Sequence, residues 1–238
     1  TLLGAILQRA FENGQIQSNP ARAVRKASLP RRTEVRPLAP MRIECMRAAS
    51  SPRDAALISV LAYAGLRPGE ALALQWRDVR EQTILVERAI SLGEEKDTKT
   101  AAHRTVRLLQ PLANDLKEWR LRSGRPGDTT LVFPSATDTP WTQAAYQSWR
   151  RRAFKRAIEA AGVEHARPYD LRHSFASLLL HEGRSVIYVA RQLGHDARLT
   201  LSTYGHVMDE FEDLPRLDAL TAIADARAAV ESDAEASG

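Results

Sequence analysis

Residues 55–76 read AALISVLAYAGLRPGEALALQW, and this stretch decides the fold. Its first eight residues are apolar on nearly every side, which is typical of a helix at the centre of a core. Gly65 and Pro68 then interrupt the helical pattern, and Pro68 suits the first position of a second helix that continues to Trp76. The pattern therefore predicts a central helix followed at once by another, with Arg67 at their junction.

Two strands are predicted downstream of this junction. Residues 83–87 and 104–108 have strand character, and the stretch between them, rich in Gly, Glu, Lys and Asp, is turn-like. We expect a small antiparallel sheet with Lys99 near its hairpin. Further helices are predicted at 111–122, 142–161, 170–182, 185–193 and 209–230. The fold class is mainly α with a small antiparallel β-sheet (α+β).

The first 30 residues differ in pattern from the rest of the chain. Residues 2–13 predict one amphipathic helix, and the prolines from Pro20 to Pro40 predict an extended linker. Because the sequence begins without methionine and within an apparent helix, we expect an N-terminal part to precede it. The predicted domains are residues 1–30, the end of a preceding domain with a linker, residues 31–208, and a C-terminal helix with an acidic tail at 209–238.

The charge is unevenly distributed. The net charge of +5 combines −7 for residues 209–238 with +12 for residues 1–208. A body this basic suits a polyanion such as nucleic acid, because neutralising phosphates releases counterions. A basic protein without such a partner is the alternative, and charge alone does not separate the two.

The cysteine count and the hydropathy limit the class of protein. Cys45 is the one cysteine, so an intramolecular disulfide, a cysteine zinc cluster and a CxxC redox pair are all excluded. No run approaches the length of a membrane span, and the start of the chain has no signal-peptide pattern. We expect a protein of the reducing cytoplasm with no membrane partner.

Four motifs together point to one chemistry. The stretch 64–74 surrounds Arg67, the triplet 98–100 contains Lys99, the stretch 167–176 (RPYDLRHSFA) contains Arg172, and QLGH at 192–195 ends in His195. Tyr204 follows that histidine by nine positions. In order and spacing these segments resemble the catalytic domain of the tyrosine recombinases of the phage-integrase family, from about residue 38 to 207. Residues 1–28 are similar to the end of that family's helical core-binding domain.

The resemblance assigns a role to each residue. Arg67 and Arg172 are the two catalytic arginines, whose guanidinium forks suit the non-bridging oxygens of a phosphodiester. Tyr204 is the nucleophile that forms a 3′-phosphotyrosine intermediate, and its proton must leave during attack. Lys99 is the general acid for the departing 5′ hydroxyl. His195 gives a further hydrogen bond to the phosphate, and Glu70 supports the arginine site. The family needs no metal and no ATP.

Tyr169 departs from the family pattern. Many members have a histidine three positions before the second arginine, and this chain has Tyr169 there. A phenol donates a hydrogen bond but accepts a proton poorly near neutral pH, so a general-base role at this position is in doubt. A ring that merely packs beneath the start of the helix is the alternative.

The predicted helix 142–161 is strongly basic. Arg150, Arg151, Lys155 and Arg156 surround the apolar Trp149 and Phe154, so a cationic face could lie on DNA while the aromatic rings point inward. A solvated helix face is the alternative.

The predicted function is that of a recombinase that acts on double-stranded DNA, integrates or excises a mobile element, and is encoded by a bacterium or a phage. The resemblance implies a homotetramer on paired sites, with the C-terminal helix docked on a neighbouring protomer; packing of that helix on its own chain is the competing possibility. A Xer-like chromosome-dimer resolvase and a DNA-binding regulator that does not cut are the alternative functions.

Overall fold

The computed structural model describes residues 2–24, 37–91, 94–97, 103–135, 140–211 and 214–236. The chain divides into two compact units, Thr1–Glu34 and Val35–Gly238. The first unit contains helix α1 (Leu2–Glu12) and a short 3₁₀ turn (Pro20–Arg22), whose start is capped by the side chain of Asn19. All further elements belong to the second unit.

The second unit is mostly helical. Its helices are α2 (Pro40–Ala48), α3 (Pro52–Tyr63), α4 (Pro68–Leu72), α5 (Gln110–Arg122), α6 (Gln143–Trp149), α7 (Lys155–Ala160), α8 (Pro168–His181), α9 (Val186–Leu193), α10 (Ala197–Phe211) and α11 (Ala219–Ala236). A π-helical segment, Arg150–Phe154, joins α6 to α7, and a 3₁₀ turn lies at Trp76–Asp78. The strands are β1 (Thr83–Val86), β2 (Arg88–Ser91), β3 (Glu94–Asp97) and β4 (Arg104–Arg107). The predicted fold class, mainly α with a small antiparallel sheet, is confirmed.

Helix α3 lies at the centre of the core and packs against α2, α5 and α8. Ser51 caps its first turn by accepting a hydrogen bond from the backbone N–H of Asp54 (3.3 Å), and Pro52 occupies its first position. The chain then turns at Gly65, which has a left-handed φ of 61°. A Cβ at Gly65 would overlap the ring of Phe175, so only glycine allows α8 to pack this closely.

The predicted pair of strands is present as β1 and β4, but the stretch between them, which was predicted to be turn-like, contains two further strands, β2 and β3. Strand β1 pairs antiparallel with β4, so that Val86 lies opposite Arg104 and Ile84 opposite Val106. Residues opposite each other share one face of a sheet. Because Ile84, Val86 and Val106 are buried, Arg104 also points inward, towards the helices. Strands β2 and β3 form a second antiparallel pair. Lys99 lies outside the described residues.

The C-terminal part differs from the prediction of one helix over 209–230. Two helices are present: α10 ends at Phe211, and α11 begins at Ala219. The prediction was wrong because apolar residues keep helical spacing through this region, whereas Pro215 cannot continue a helix. Helix α10, which carries Tyr204, was not predicted at all.

Helix α11 packs on α2 and α5 of its own chain. It buries Ala219, Ile223 and Ala226, and Arg227 reaches two buried carboxylates. Its Nη2 donates to Oδ2 of Asp115 (2.7 Å), and its Nε lies 3.2 Å from Oε2 of Glu44. Within the described ranges, no helix is long and apolar enough to cross a membrane.

Candidate active site

Arg67 is held at the start of α4 by Glu70. The backbone N–H of Arg67 donates to Oε2 of Glu70 (2.8 Å), and the Nη1 group of Arg67 donates to Oε1 of the same side chain (2.7 Å). Glu70 therefore caps the helix and orients the guanidinium together. The side chain of Arg67 remains 40% exposed, so it retains donors that face outward.

Glu70 also binds Arg104, a residue that the sequence analysis did not single out. Nη1 of Arg104 donates to Oε1 of Glu70 (2.9 Å) and Nη2 donates to Oε2 (2.7 Å), which makes a bidentate pair. Glu70 is buried, and burial alone would raise its pKa. The hydrogen bond and charge of Arg104, with those of Arg67, outweigh burial and lower the pKa of Glu70 to about 2. Glu70 is thus ionised at neutral pH and anchors both arginines.

Arg172 is fully buried in α8. Its Nη1 donates to the backbone carbonyl of Gly65 and its Nη2 to that of Leu193, which ties the turn after α3 to the end of α9. Burial and the positive charges of Arg67 and Arg104 lower the pKa of Arg172 to about 10. The Nε of Arg172 has no hydrogen-bond partner among the described residues.

His195 follows the left-handed C-cap of α9, Gly194, where a Cβ would lie only 3.0 Å from Cδ of Arg104. The Nε2 atom of His195 lies 3.0 Å from Nη2 of Arg172. Because a guanidinium only donates, Nε2 must accept, and the neutral ring carries its proton on Nδ1. Burial and then the charge of Arg172 lower the pKa of His195 to about 4, so the ring is neutral at pH 7.

Tyr204 is fully buried on α10, and its hydroxyl meets α8. The hydroxyl oxygen lies 2.6 Å from Nδ1 of His173, a second residue that was not assigned a role from sequence. Tyr169, one turn earlier on α8, is half-buried, and its ring meets that of His173 edge to face, with centroids 5.3 Å apart. Tyr169 therefore lies within the site region, next to the histidine that contacts Tyr204.

The electrostatics of the site suit an anion. The guanidinium groups of Arg67, Arg104 and Arg172 lie around the carboxylate of Glu70, which leaves an excess of positive charge. Burial is the largest cause of the lowered pKa values of Arg172 and His195, and this excess of positive charge lowers both further, because each positive charge disfavours another nearby. A bound phosphodiester would relieve that repulsion, and fixed donors around it would stabilise charge that develops during displacement.

The basic segment around α6 and α7 presents its charges outward. Arg151, Lys155 and Arg156 are exposed, and Arg150 is half-buried with its guanidinium 6.0 Å from the ring centroid of Tyr146. Trp149 and Phe154, the aromatic side chains that were predicted to point inward, are buried among the core residues. The exposed cations form one basic helix surface.

The sequence is similar to known integrases and recombinases. The sequence matches the Phage integrase family over residues 39–210. It is 27% identical to the prophage integrase IntR of Escherichia coli K12 over 240 residues, covering 89% of this chain and 57% of that protein. It is 31% identical to the tyrosine recombinase XerC of Xanthomonas axonopodis pv. citri over 214 residues, covering 87% of this chain and 65% of that protein.

A solved structure shares the fold. The Tn1549 transposon integrase in complex with a circular intermediate DNA superposes with a TM-score of 0.67 at 19% identity, covering 89% of this chain and 76% of that one. The chain spans less than two thirds of the length of IntR and of XerC, the two curated relatives. The region that matches the family, residues 39–210, contains every described residue of the candidate site. The chain belongs to the phage integrase family.

Proposed function

We propose that the protein is a site-specific DNA recombinase that breaks and rejoins strands through a 3′-phosphotyrosine bond to Tyr204, and so integrates or excises a mobile element. One observation carries the proposal. The consecutive residues Arg172 and His173 contact His195 and the hydroxyl of Tyr204, respectively, and Arg172 lies near the positive charges of Arg67 and Arg104. Helix α8 supports the proposal because it carries both the proposed phosphate-binding arginine and the histidine that contacts the proposed nucleophile on α10.

In this proposal each group has a distinct part. Arg67 and Arg172 donate to the non-bridging oxygens of the scissile phosphate, and Glu70 orients Arg67 through its two hydrogen bonds to that residue. His195 is neutral, so it assists as a hydrogen-bond donor through Nδ1 rather than as a charge. The proposed general acid is Lys99, which protonates the leaving 5′ oxygen.

Double-stranded DNA is the proposed partner, and the basic surface of Arg150, Arg151, Lys155 and Arg156 is the proposed contact with its backbone. Phosphate contacts of this kind fix orientation without reading sequence. Replacing Arg151 by glutamine is expected to weaken binding to all duplexes alike and to lower the salt dependence of the dissociation constant, because about one counterion fewer is released.

We also propose assembly as a homotetramer on paired sites, with α11 docked on a neighbouring protomer. In this structure α11 packs on its own chain, where Arg227 meets Glu44 and Asp115. If α11 is exchanged between protomers, Arg227 would make the same contacts with Glu44 and Asp115 of the neighbouring protomer. Native mass spectrometry on a duplex with paired sites gives the stoichiometry. If Arg227→Ala lowers the melting temperature of the free protein yet leaves assembly on DNA unchanged, docking stays within one chain and the exchange is refuted.

The experiment that tests the function uses nicked suicide duplexes, which trap the covalent intermediate. The protein is incubated with duplexes from the ends of a mobile element, and a protein–DNA adduct that survives denaturation is expected. Tyr204→Phe removes only the hydroxyl and should abolish the adduct while duplex binding persists. If the parent protein binds these duplexes and forms no adduct, it is a DNA-binding regulator rather than a recombinase.

A Xer-like resolvase is the second candidate function, and the similarity to XerC favours it. The chemistry would be identical, so only the DNA distinguishes the two. Duplexes carrying the host chromosome's dimer-resolution site should be cleaved in preference to element ends if the protein is a resolvase. The opposite preference supports the integrase.

A further inference from the structure

The contact between His173 and Tyr204 joins two helices. Tyr204 lies on α10 and His173 on α8, and the hydroxyl oxygen and Nδ1 are 2.6 Å apart, at the short end for a hydrogen bond. The ring centroids are 5.6 Å apart. A candidate general base must lie within hydrogen-bond reach of the proton that it removes, and His173 meets that condition.

Two other residues of the family pattern, His195 and Tyr169, are less suited to accept the proton of Tyr204. The Nε2 of His195 already accepts from Arg172, and the surrounding positive charges hold its pKa at about 4. Tyr169 occupies the position where the family pattern has a histidine, but a phenol is a poor proton acceptor near neutral pH. Of these groups, the imidazole of His173 is the one with a ring nitrogen within hydrogen-bond distance of the nucleophile, and in the tautomer protonated on Nε2 this nitrogen, Nδ1, accepts from the hydroxyl of Tyr204.

Tyr169 supports the orientation of His173. The two residues are four apart on α8 and therefore share a helix face. Their rings meet at 71° with centroids 5.3 Å apart, the edge-to-face arrangement that aromatic pairs prefer. This contact limits the rotation of the imidazole and keeps Nδ1 directed at α10. Tyr169 is thus a positioning residue, one helical turn from the residue that it orients.

We propose that His173 is the general base that accepts the proton of Tyr204, an inference that rests on the proposed recombinase function. In the cleavage step the hydroxyl proton of Tyr204 passes to Nδ1, and the phenolic oxygen forms a bond to phosphorus. The bond from phosphorus to the 5′ oxygen breaks, and that oxygen takes a proton from the general acid, proposed to be Lys99. On rejoining, the 5′ hydroxyl attacks phosphorus and returns its proton to the general acid, the bond from phosphorus to the phenolic oxygen breaks, and the departing phenolate regains its proton from His173.

The test isolates the nucleophile's proton from that of the leaving group. A suicide duplex with a 5′-bridging phosphorothiolate releases a thiolate, which leaves without a proton, so the rate of adduct formation no longer depends on the general acid. His173→Asn places an amide near the position of Nδ1, which keeps a hydrogen bond but does not accept a proton. We expect His173→Asn to form the adduct about 100-fold more slowly than the parent, which is the lower end of the range for general-base catalysis.

A second measurement separates base catalysis from positioning. Tyr204 is replaced by 3,5-difluorotyrosine, whose phenol is more acidic and loses its proton without help. In the His173→Asn background this replacement should recover at least about tenfold of the lost rate, whereas in the parent it should change the rate little. A residue that only positions the ring would give a loss that fluorination does not recover.

The control is His181→Asn, the same substitution on the same helix, at a histidine whose Nε2 lies 3.2 Å from the carbonyl of Pro215 and away from Tyr204. It should leave the adduct rate within twofold. Circular dichroism gives the folded fraction of each variant, and His173→Gln provides a second loss of the base if the asparagine variant unfolds.

The outcomes separate the two proposals. If the parent forms the adduct and both His173 variants, when folded, match its rate within threefold, His173 is not the base and the recombinase function stands. A large loss that fluorination leaves unchanged overturns the base assignment in the same way. If the parent itself forms no adduct on either substrate, the recombinase function fails and the role of His173 fails with it.

Discussion

Replacing Glu70 by glutamine removes the carboxylate that anchors Arg67 and Arg104, and the structure predicts a large effect on folding. The pKa of Glu70 falls from its ordinary value of 4.5 to about 2. A group whose pKa is depressed by folding stabilises the folded state above its unfolded pKa. Here the shift corresponds to about 3 kcal/mol at pH 7, and for a domain of this size to a melting temperature lower by roughly 6–12 °C in Glu70→Gln.

The stability difference between the parent and Glu70→Gln should depend on pH. Glutamine resembles protonated glutamate, so the difference between parent and Glu70→Gln should be full above about pH 5 and shrink as pH falls towards 2. At pH 3 less than half of it should remain. Urea unfolding at several pH values between 3 and 7 measures both free energies of unfolding.

The matched control is Glu118→Gln. Glu118 pairs with Arg122 on α5 at 2.7 Å, but both side chains are more than half exposed. An exposed pair of this kind contributes little, and the change should stay within about 0.5 kcal/mol at every pH. If Glu70→Gln destabilises no more than this control, or if its effect does not diminish as the pH falls, the electrostatic account of the arginine cluster is refuted.

Three further predictions concern the reaction. Adduct formation should continue in excess EDTA, because guanidinium groups supply the positive charge at the phosphate; its complete loss on chelation would instead indicate a metal-dependent nuclease. Lys99→Ala should greatly slow cleavage of an ordinary 5′-oxygen duplex and be largely rescued by the phosphorothiolate, and an equal loss on both substrates would exclude Lys99 as the general acid. Tyr169→Phe keeps the ring that contacts His173 and should cleave within threefold of the parent, whereas Tyr169→Ala should lose about tenfold or more; equal rates for these two variants would exclude the positioning role.

Much of the site was predictable because its signals are local. The break at Gly65 and the proline at position 68 fix the end of α3 and the start of α4, so Arg67 must stand at their junction. Glu70 was assigned its supporting role from the resemblance alone, because Arg67 is not one of the N-cap residues that mark a capping box in a sequence. The pair of β1 and β4 was predictable because residues 83–87 have strand character and residues 104–108 alternate with period two, whereas β2 and β3 were not predicted.

The parts that were missed depend on pairing between distant segments. Arg104 binds Glu70 although 34 positions separate the two in the chain, and no local pattern specifies that contact. The alternation of side chains along β4 does indicate the direction of Arg104, because Arg104 lies two positions before the buried Val106 and so shares its face of the strand. Helix α10 was missed because residues 197–203 show no apolar stripe, and its position depends on packing against α8 and α9.

Helix α8 explains why the site tolerates a tyrosine at position 169. Successive residues on a helix point about 100° apart, so Arg172 and His173 necessarily face different neighbours. Arg172 faces the turn after α3 and the end of α9, where the proposed phosphate site lies, and His173 faces α10 and the proposed nucleophile, Tyr204. Because the two residues are adjacent in the chain, the position of the proposed base is fixed relative to that of the proposed phosphate-binding arginine. With that acceptor in place, position 169 needs only a ring that holds the imidazole, and an aromatic side chain there meets the requirement.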